Sequence, residues 1–267
     1  MKKVFWKGFA LCAVLAVMFF TACENGTTDK DPANEGDLVN TVWAGGTPRQ
    51  DDWLTISFTK LEEAIRGSDE IGYRAVASFS IDNSSNNWGF TYDSEAKSGT
   101  VAVASGWNPA PNGFTISADG KTLTITNYGS HSGGSRDFKR LRAGDLSIDP
   151  VPFTLETLPA DLANSVWAGG TPQGDNTGWL TITFKNLATA IAGSEATGQR
   201  VICSFSADNS TNNWGYAYNS SDKTGTITTS GWPFAPSGFT ISADGKTLTI
   251  PNYGSHDEGS REFKRLR

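Results

Sequence analysis

The chain has 267 residues and carries 22 Lys and Arg against 28 Asp and Glu, which gives a net charge of −6. An acidic protein repels nucleic acid unless its basic residues are segregated on one face, so a polyanion-binding function is disfavoured. Three cysteines are too few for the disulfide framework of a small secreted scaffold.

The first segment, "MKKVFWKGFALCAVLAVMFFTAC", has the pattern of an export signal. Its apolar run, residues 9–20, is shorter than the roughly 20 residues that a membrane-spanning helix needs. The small residues before Cys23 resemble the lipobox of bacterial lipoproteins. This resemblance implies removal of residues 1–22, lipidation of Cys23 and anchoring to a bacterial envelope membrane, with the outer membrane or cell surface favoured. An ordinary secretory signal with an incidental cysteine is the alternative.

The remainder of the chain contains a tandem duplication of one domain. Residues 37–142 align with residues 161–267, and the motif "VWAGGTP" occurs in both copies. Residues 23–36 are polar and unpatterned, as expected of a flexible tether. Residues 143–160 combine three prolines with Leu, Val and Phe, which favours a semi-rigid connector that packs against a neighbour. Two modules on one tether raise avidity for a repeated ligand.

Hydrophobic residues in each copy recur with a period of two, which is typical of half-buried strands. The segment "FTISADGKTLTI" predicts a hairpin with a two-residue type I′ turn at Asp-Gly, in which Phe114 faces Ile125. Other strands are predicted at "NTVWAGG", "WLTISF", "RAVASFSI", "NWGFTYD", "GTVAVA" and "RDFKRLR". A short helix is predicted within residues 61–68 and again within residues 187–194. The Gly-Gly-Thr-Pro of "VWAGGTP" is interpreted as a bend that leaves the first strand.

About seven or eight short antiparallel strands in a domain of this size form a small barrel or a two-sheet sandwich. Trp43 in the first strand with Arg140 or Arg142 in the last resembles the lipocalin-like, calycin-type barrels, in which an Arg stacks on that Trp and closes the bottom. Trp167 and Arg265 are the corresponding pair in the second copy. The resemblance favours an all-β chain of two tandem antiparallel barrels, with β-sandwiches as the alternative. It also implies that the Trp and Arg of each copy form a structural clamp. A hydroxyl residue stands two positions before each Trp, where that family usually has Gly.

No set of acids, bases and nucleophiles forms a recognisable catalytic motif. His131 and His256 are the only histidines, and neither has a second His or Cys nearby to share a metal ion. The pair Glu62-Glu63 is replaced by Ala and Thr in the second copy. Cys203 alternates with apolar residues on a strand, so it is interpreted as a buried small hydrophobe. We therefore expect a protein without enzymatic activity, cofactor or metal site. The remaining alternative is a glycan hydrolase.

The basic endings "SRDFKRLR" and "SREFKRLR" have two interpretations. They could contact nucleic acid or anionic lipid, or they could form a closing edge strand that carries charge against aggregation. Arg136, Phe138, Arg140 and Arg142 share one parity, with Asp137 or Glu262 interleaved, which favours the strand.

Aromatic residues surrounded by Asn are the most unusual feature of the chain. Trp and Tyr beside amides suit sugar recognition, and the same residues at a barrel mouth suit a small apolar ligand. The segments "SGWNPAP" and "SGWPFAP" place Trp107 and Trp232 in proline-bounded loops, where exposed indoles are candidate contacts. The aromatic faces of "NNWGFTYDS" and "NNWGYAYNS" are either core or ligand contacts. The candidate ligand-binding residues are Trp107, Trp232, Trp88, Trp214, Tyr92 and Tyr218.

These observations predict a non-enzymatic lipoprotein of the cell envelope with duplicated β domains. It would bind a glycan, a small apolar molecule or a protein partner, contact the membrane through its lipid anchor, and not bind nucleic acid. The alternative is a structural or surface-coat lipoprotein without a small-molecule ligand.

Overall fold

The computed structural model describes two barrels and the connector between them. The described residues are 35–46, 53–64, 69–79, 85–102, 111–128, 135–170, 179–190, 195–205, 211–229, 236–251 and 260–267. Residues 1–34, which include the predicted signal and Cys23, lie outside these ranges. No helix in the described part of the chain has the length and hydropathy needed to cross a membrane.

Each repeat forms eight strands within the described ranges. A 3-10 helix, Glu35–Leu38, precedes the first of them. The strands of barrel 1 are β1 (Val42–Gly46), β2 (Trp53–Leu61), β3 (Gly72–Phe79), β4 (Ser85–Asp93), β5 (Ser98–Ala102), β6 (Gly113–Ile116), β7 (Thr122–Thr126) and β8 (Arg136–Arg142). The strands of barrel 2 are β9 (Val166–Gly170), β10 (Trp179–Leu187), β11 (Gly198–Phe205), β12 (Thr211–Asn219), β13 (Thr224–Thr228), β14 (Gly238–Ile241), β15 (Thr247–Ile250) and β16 (Arg261–Arg265).

Both sheets are closed antiparallel barrels in which each strand pairs with its sequence neighbours and the last strand pairs with the first. The predicted all-β fold with two tandem barrels is confirmed, and the sandwich alternative is excluded. Closure also corrects the interpretation of the basic ending. Strand β8 pairs with β7 on one side and with β1 on the other, so it has no free edge for its charges to protect.

The predicted β6–β7 hairpin has the expected register, with Phe114 opposite Ile125 and Ile116 opposite Leu123. Its turn is not type I′, because that type needs a positive φ at both central residues and only Gly120 has one, at 69°. The Gly120 amide donates to the Ser117 carbonyl oxygen at 2.8 Å. Inward side chains therefore set the pairing, while a longer turn connects the strands.

Two other local predictions are wrong in the described residues. The first residue of the segment predicted to be helical, Leu61, is the last residue of β2, and residues 62–63 form a bend. In barrel 2, Leu187 and residues 188–189 have the same conformations. The remainders of both segments, from residues 65 and 191, lie outside the described ranges.

The two glycines of the predicted Gly-Gly-Thr-Pro bend belong to the first strand instead, while the Thr and Pro of that segment lie outside the described ranges. A Cβ on Gly45 would lie 2.7 Å from the Asp137 carbonyl oxygen and 2.8 Å from a ring carbon of Phe138. Gly169 has the same relation to Phe263 in barrel 2. The repeated glycine therefore lets the last strand and its buried Phe approach the first strand.

Aromatic side chains dominate the interior of both barrels. In barrel 1 the ring of Phe58 lies 4.9 Å from that of Phe90 and 5.3 Å from that of Phe114, measured between centroids. Barrel 2 repeats this cluster around Phe184. Cys203 is fully buried in its core, as predicted. Burial of these rings is the main favourable contribution to folding.

Equivalent outer faces of the two barrels pack against each other. The shared apolar cluster contains the matching pairs Val42 and Val166, Ala44 and Ala168, and Leu141 and Leu266, with Val151 and Phe153 of the connector against it. The hydroxyl of Thr55 lies 3.0 Å from that of Thr181, which is the equivalent residue, and both side chains are buried. Matching residues that meet are the mark of a two-fold related interface.

Candidate functional site

The two ends of each barrel differ in what covers them. We call the end at which the first strand begins, at Val42 or Val166, the lower end, and the opposite end the upper end. Residues before the first strand cover the lower end, where Leu38 and Leu162 are buried in their barrel cores. In barrel 2 the hydroxyl of Tyr216 also donates to the carbonyl oxygen of Asp161. The lower end of each barrel is therefore filled by side chains.

A hydrogen-bond chain explains the hydroxyl residue that precedes each core Trp. The Trp43 indole Nε1–H donates to the Thr41 hydroxyl at 2.9 Å, and that hydroxyl donates to the Leu38 carbonyl oxygen at 2.7 Å. In barrel 2 the Trp167 indole donates to Ser165 at 3.0 Å. A buried indole N–H needs an acceptor, and glycine at this position could not supply one.

The residues of the predicted clamp lie opposite each other, since Trp43 pairs with Arg140 and Trp167 pairs with Arg265. The Arg140 guanidinium binds Asp149 of the connector, with nitrogen–oxygen distances of 2.6 and 3.2 Å. This hydrogen bond raises the pKa of Arg140. Stacking of the arginine on the indole stays a prediction.

Arg142 and Arg265 have backbone partners. The Arg142 Nε–H donates to the Asn40 carbonyl oxygen at 2.8 Å, and burial lowers its pKa to about 10. Arg265 donates from Nε to the Arg267 carbonyl oxygen, and burial lowers its pKa as well. These contacts give the basic last strands a structural role.

The last residues of β1, β3, β5 and β7 and the first residues of β2, β4, β6 and β8 lie together at the upper end of barrel 1, as in an up-and-down barrel. Trp107 belongs to the segment between β5 and β6, and Trp232 belongs to its counterpart in barrel 2. Both residues lie outside the described part of the chain, so their proposed contact role stays a prediction.

Trp88 and Trp214 are buried inside their barrels, in the upper half of the strands that carry them, with 2% and 7% of their surfaces exposed. The ring of Trp88 meets that of Tyr128 edge-on at 6.0 Å. A ligand would reach either indole only by entering the barrel. The role of these residues in binding stays a prediction.

Tyr92 and Tyr218 lie further down the same strands and are half-buried. Tyr92 stacks on Phe114 at 6.0 Å and 13°, and Tyr218 stacks on Phe239 at 6.0 Å and 16°. Burial raises the pKa of both tyrosines. The structure therefore separates the candidate residues into buried indoles near the upper end and stacked tyrosines near the lower end.

The residue pattern did not single out Tyr128, which lies just beyond the upper end of β7. Its side chain is 2% exposed and packs between Trp88 and Phe138, with ring centroids 6.0 and 5.9 Å away. Its hydroxyl is buried and has no hydrogen-bond partner among the described residues. Burial raises the pKa of Tyr128, while the positive charge of Arg136 acts in the opposite direction.

Arg136 is the first residue of β8 and pairs with Ile125, whose side chain is in the core. Cross-strand partners share a face of the sheet, so Arg136 faces the barrel interior at its upper end. Its Nε atom is buried and has no acceptor in the part of the chain that the structure describes. The sequence contained the signal for this orientation, because Arg136 has the same parity as the buried Phe138.

Among the residues that the structure describes, no three His, Cys, Asp or Glu side chains lie close enough to hold a metal ion. His131 and His256 lie outside those ranges. No protein-family model, curated protein or solved structure matches this chain. The lipoprotein and lipocalin-like resemblances therefore stay predictions.

Proposed function

We propose that this protein is a non-enzymatic lipoprotein of the bacterial cell envelope that binds a ligand at the upper ends of its two barrels. The observation that carries the proposal is the difference between the ends. A buried leucine, Leu38 or Leu162, covers each lower end, whereas the described strands that flank Trp107 and Trp232 in the sequence end and begin at the upper ends. Ligand sites in barrels commonly lie at such mouths.

The chemistry of these connections favours a glycan, a small apolar molecule or a protein partner. Indole rings cover the apolar face of a sugar, and neighbouring amides bond its hydroxyls. Duplication supplies two such ends on one chain, which increases binding to a repeated ligand without any new contact.

The first test is binding by the mature protein with Trp107→Ala and Trp232→Ala combined. The protein is released from its own membrane, and native mass spectrometry detects any ligand that co-purifies with it as additional mass. We expect the double variant to lose the bound mass while its melting temperature is unchanged. Ile71→Ala is the matched control, because Ile71 is a large exposed apolar residue beside the lower end of β3.

The predicted address has its own test. Cys23→Ala should move the protein from the membrane fraction to the soluble fraction after export. Retention of the variant in the membrane would contradict the lipid anchor and leave the barrel proposal standing.

One observation favours the alternative of a structural or surface-coat lipoprotein. The aromatic clusters around Phe58 and Phe184 fill much of both barrels, and the barrels pack on each other through equivalent faces. A protein that carries no mass from its membrane, and whose Trp107 and Trp232 variants change only cell-surface integrity, would support this alternative.

A further inference from the structure

We infer that the upper interior of barrel 1 binds a small organic anion, which Tyr128 and Arg136 hold beside the ring of Trp88. We call these three residues the barrel-1 anion site. This inference rests on the proposed function, because it assigns a ligand class to one of the proposed binding ends.

The first step is that Tyr128 lacks a partner which proteins normally supply. Most buried polar groups are hydrogen-bonded, and an unpaired buried hydroxyl is destabilising. The Tyr128 ring packs against the rings of Trp88 and Phe138, and neither of these side chains has an oxygen that could accept a hydrogen bond. A phenylalanine would fill the same space without this defect. A ligand that supplies an acceptor oxygen would satisfy this hydroxyl.

The second step is the neighbouring cation. Arg136 faces the interior from the first position of β8, two residues before Phe138, whose ring packs on that of Tyr128. The described residues give Arg136 no ion pair, and its Nε–H has no acceptor. Guanidinium is donor-only, and a tyrosine hydroxyl can also donate. The partner missing from both groups is thus an acceptor, and an anionic oxygen satisfies them best.

The third step is the surrounding surface. Trp88, Tyr128 and Phe138 present aromatic rings on the inner side of the site. These rings pack on one another, and an inorganic anion would add only contacts to the two donors. A carboxylate, sulfonate or sulfate attached to a flat or apolar body would contact the rings and the two donors together. The site therefore favours an organic anion over a neutral ligand of the same shape.

Barrel 2 keeps part of the arrangement. Trp214 and Arg261 occupy the positions of Trp88 and Arg136, while Tyr253, the counterpart of Tyr128, lies outside the described ranges. The inference is accordingly made for barrel 1.

The test uses the mature full-length protein and two fluorescent probes that differ in one group. The probes are 8-anilinonaphthalene-1-sulfonate and N-phenyl-1-naphthylamine, which lacks the sulfonate. We expect the sulfonate probe to bind more tightly. Tyr128→Phe and Arg136→Gln should each weaken its affinity by about tenfold and leave the affinity of the neutral probe unchanged. Lys121→Gln removes the same charge from the exposed lower-end hairpin and should affect neither probe.

A second readout guards against misfolding. Tyr128→Phe should raise the melting temperature of the unliganded protein while it weakens sulfonate binding, a combination that a damaged fold would not produce. If both probes bind equally and neither responds to Tyr128→Phe or Arg136→Gln, the anion site is wrong and ligand binding at the barrel ends survives. If neither probe binds and the protein also carries no mass from its membrane, both the anion site and the proposed function fail. A lower melting temperature of Tyr128→Phe, with sulfonate binding intact, would indicate a structural hydroxyl satisfied by water.

Discussion

A single methyl group added at Gly99 should disrupt barrel 1. Gly99 lies between Tyr92 on β4 and Phe114 on β6, and the rings of these two residues stack across it. A Cβ at this position would overlap both the Thr91 carbonyl oxygen and Cζ of Phe114. Both contacts are far closer than van der Waals contact allows, so the ring or the backbone must move.

The expected loss of stability follows from three contributions. Overpacking costs about 1–3 kcal/mol, and loss of the aromatic stack adds about 0.5–1.5 kcal/mol. The lower entropy of an unfolded chain with alanine offsets about 0.4–1 kcal/mol of this. Gly99→Ala should therefore destabilise the protein by about 1–4 kcal/mol, which corresponds to a fall of several degrees in Tm.

Urea unfolding followed by tryptophan fluorescence measures this change. Gly36→Ala is the control, because a Cβ there meets nothing within 4 Å. Replacing Phe114 by Leu should make Gly99→Ala less harmful than it is in the native background, since the ring no longer occupies the space. Equal midpoints for Gly99→Ala and Gly36→Ala would refute the reasoning.

Three further outcomes are expected. Thr55→Val leaves the hydroxyl of Thr181 buried without its partner and should lower the free energy of unfolding by about 1–2 kcal/mol. The variant with Val at both positions should lose less stability than the sum of the two single changes. Additive losses in this double-mutant cycle would contradict the contact between the barrels. Asp149→Asn removes the charged hydrogen bond to Arg140 and should lower the free energy of unfolding by about 1 kcal/mol, since the pair is partly exposed. Limited proteolysis should cleave the connector faster in this variant than in the native protein. Burial raises the pKa of Tyr128, so the folded protein keeps a proton that the unfolded chain loses above pH about 10. Its contribution is therefore complete below that pH and is lost as pH rises, and Tyr128→Phe should show a shallower alkaline loss of stability; parallel curves would count against a buried, neutral hydroxyl.

Much of the fold was predictable because one physical constraint controls it. A period of two in the apolar residues specifies strands, and burying one face of each strand specifies register, as the pairing of Phe114 with Ile125 shows. Local geometry was less predictable. The Asp-Gly pair indicated a two-residue turn, yet the structure supports a longer one. The Ser117 hydroxyl donates to the Asp119 carboxylate and accepts from the Thr122 backbone amide.

The role of a glycine also depends on a neighbour that is distant in sequence. Gly45 reads as a bend when only "VWAGGTP" is considered. Its position in the strand is explained by Phe138, which lies on β8 and approaches too closely for any side chain at Gly45.

The candidate site was predictable only in part. Composition identified the aromatic residues, but strand position separated Trp88 near the upper end from Tyr92 near the lower end. Parity placed Arg136 on the inner face, whereas Tyr128 follows its strand after Asn127, which has a positive φ of 50°. That conformation redirects the chain after β7, and no alternation rule predicts it.

The meeting of Thr55 with Thr181 has a consequence for how the two repeats can evolve. Two identical hydroxyls in contact cannot play identical parts, because one must donate the proton and the other must accept it. In a pair of separate, identical subunits, any replacement at this position would face a copy of itself. In this chain each position is encoded separately, so one can become a better donor and its counterpart a better acceptor, or the two can acquire opposite charges. The duplication has thereby turned a self-matching contact into one whose two sides can specialise.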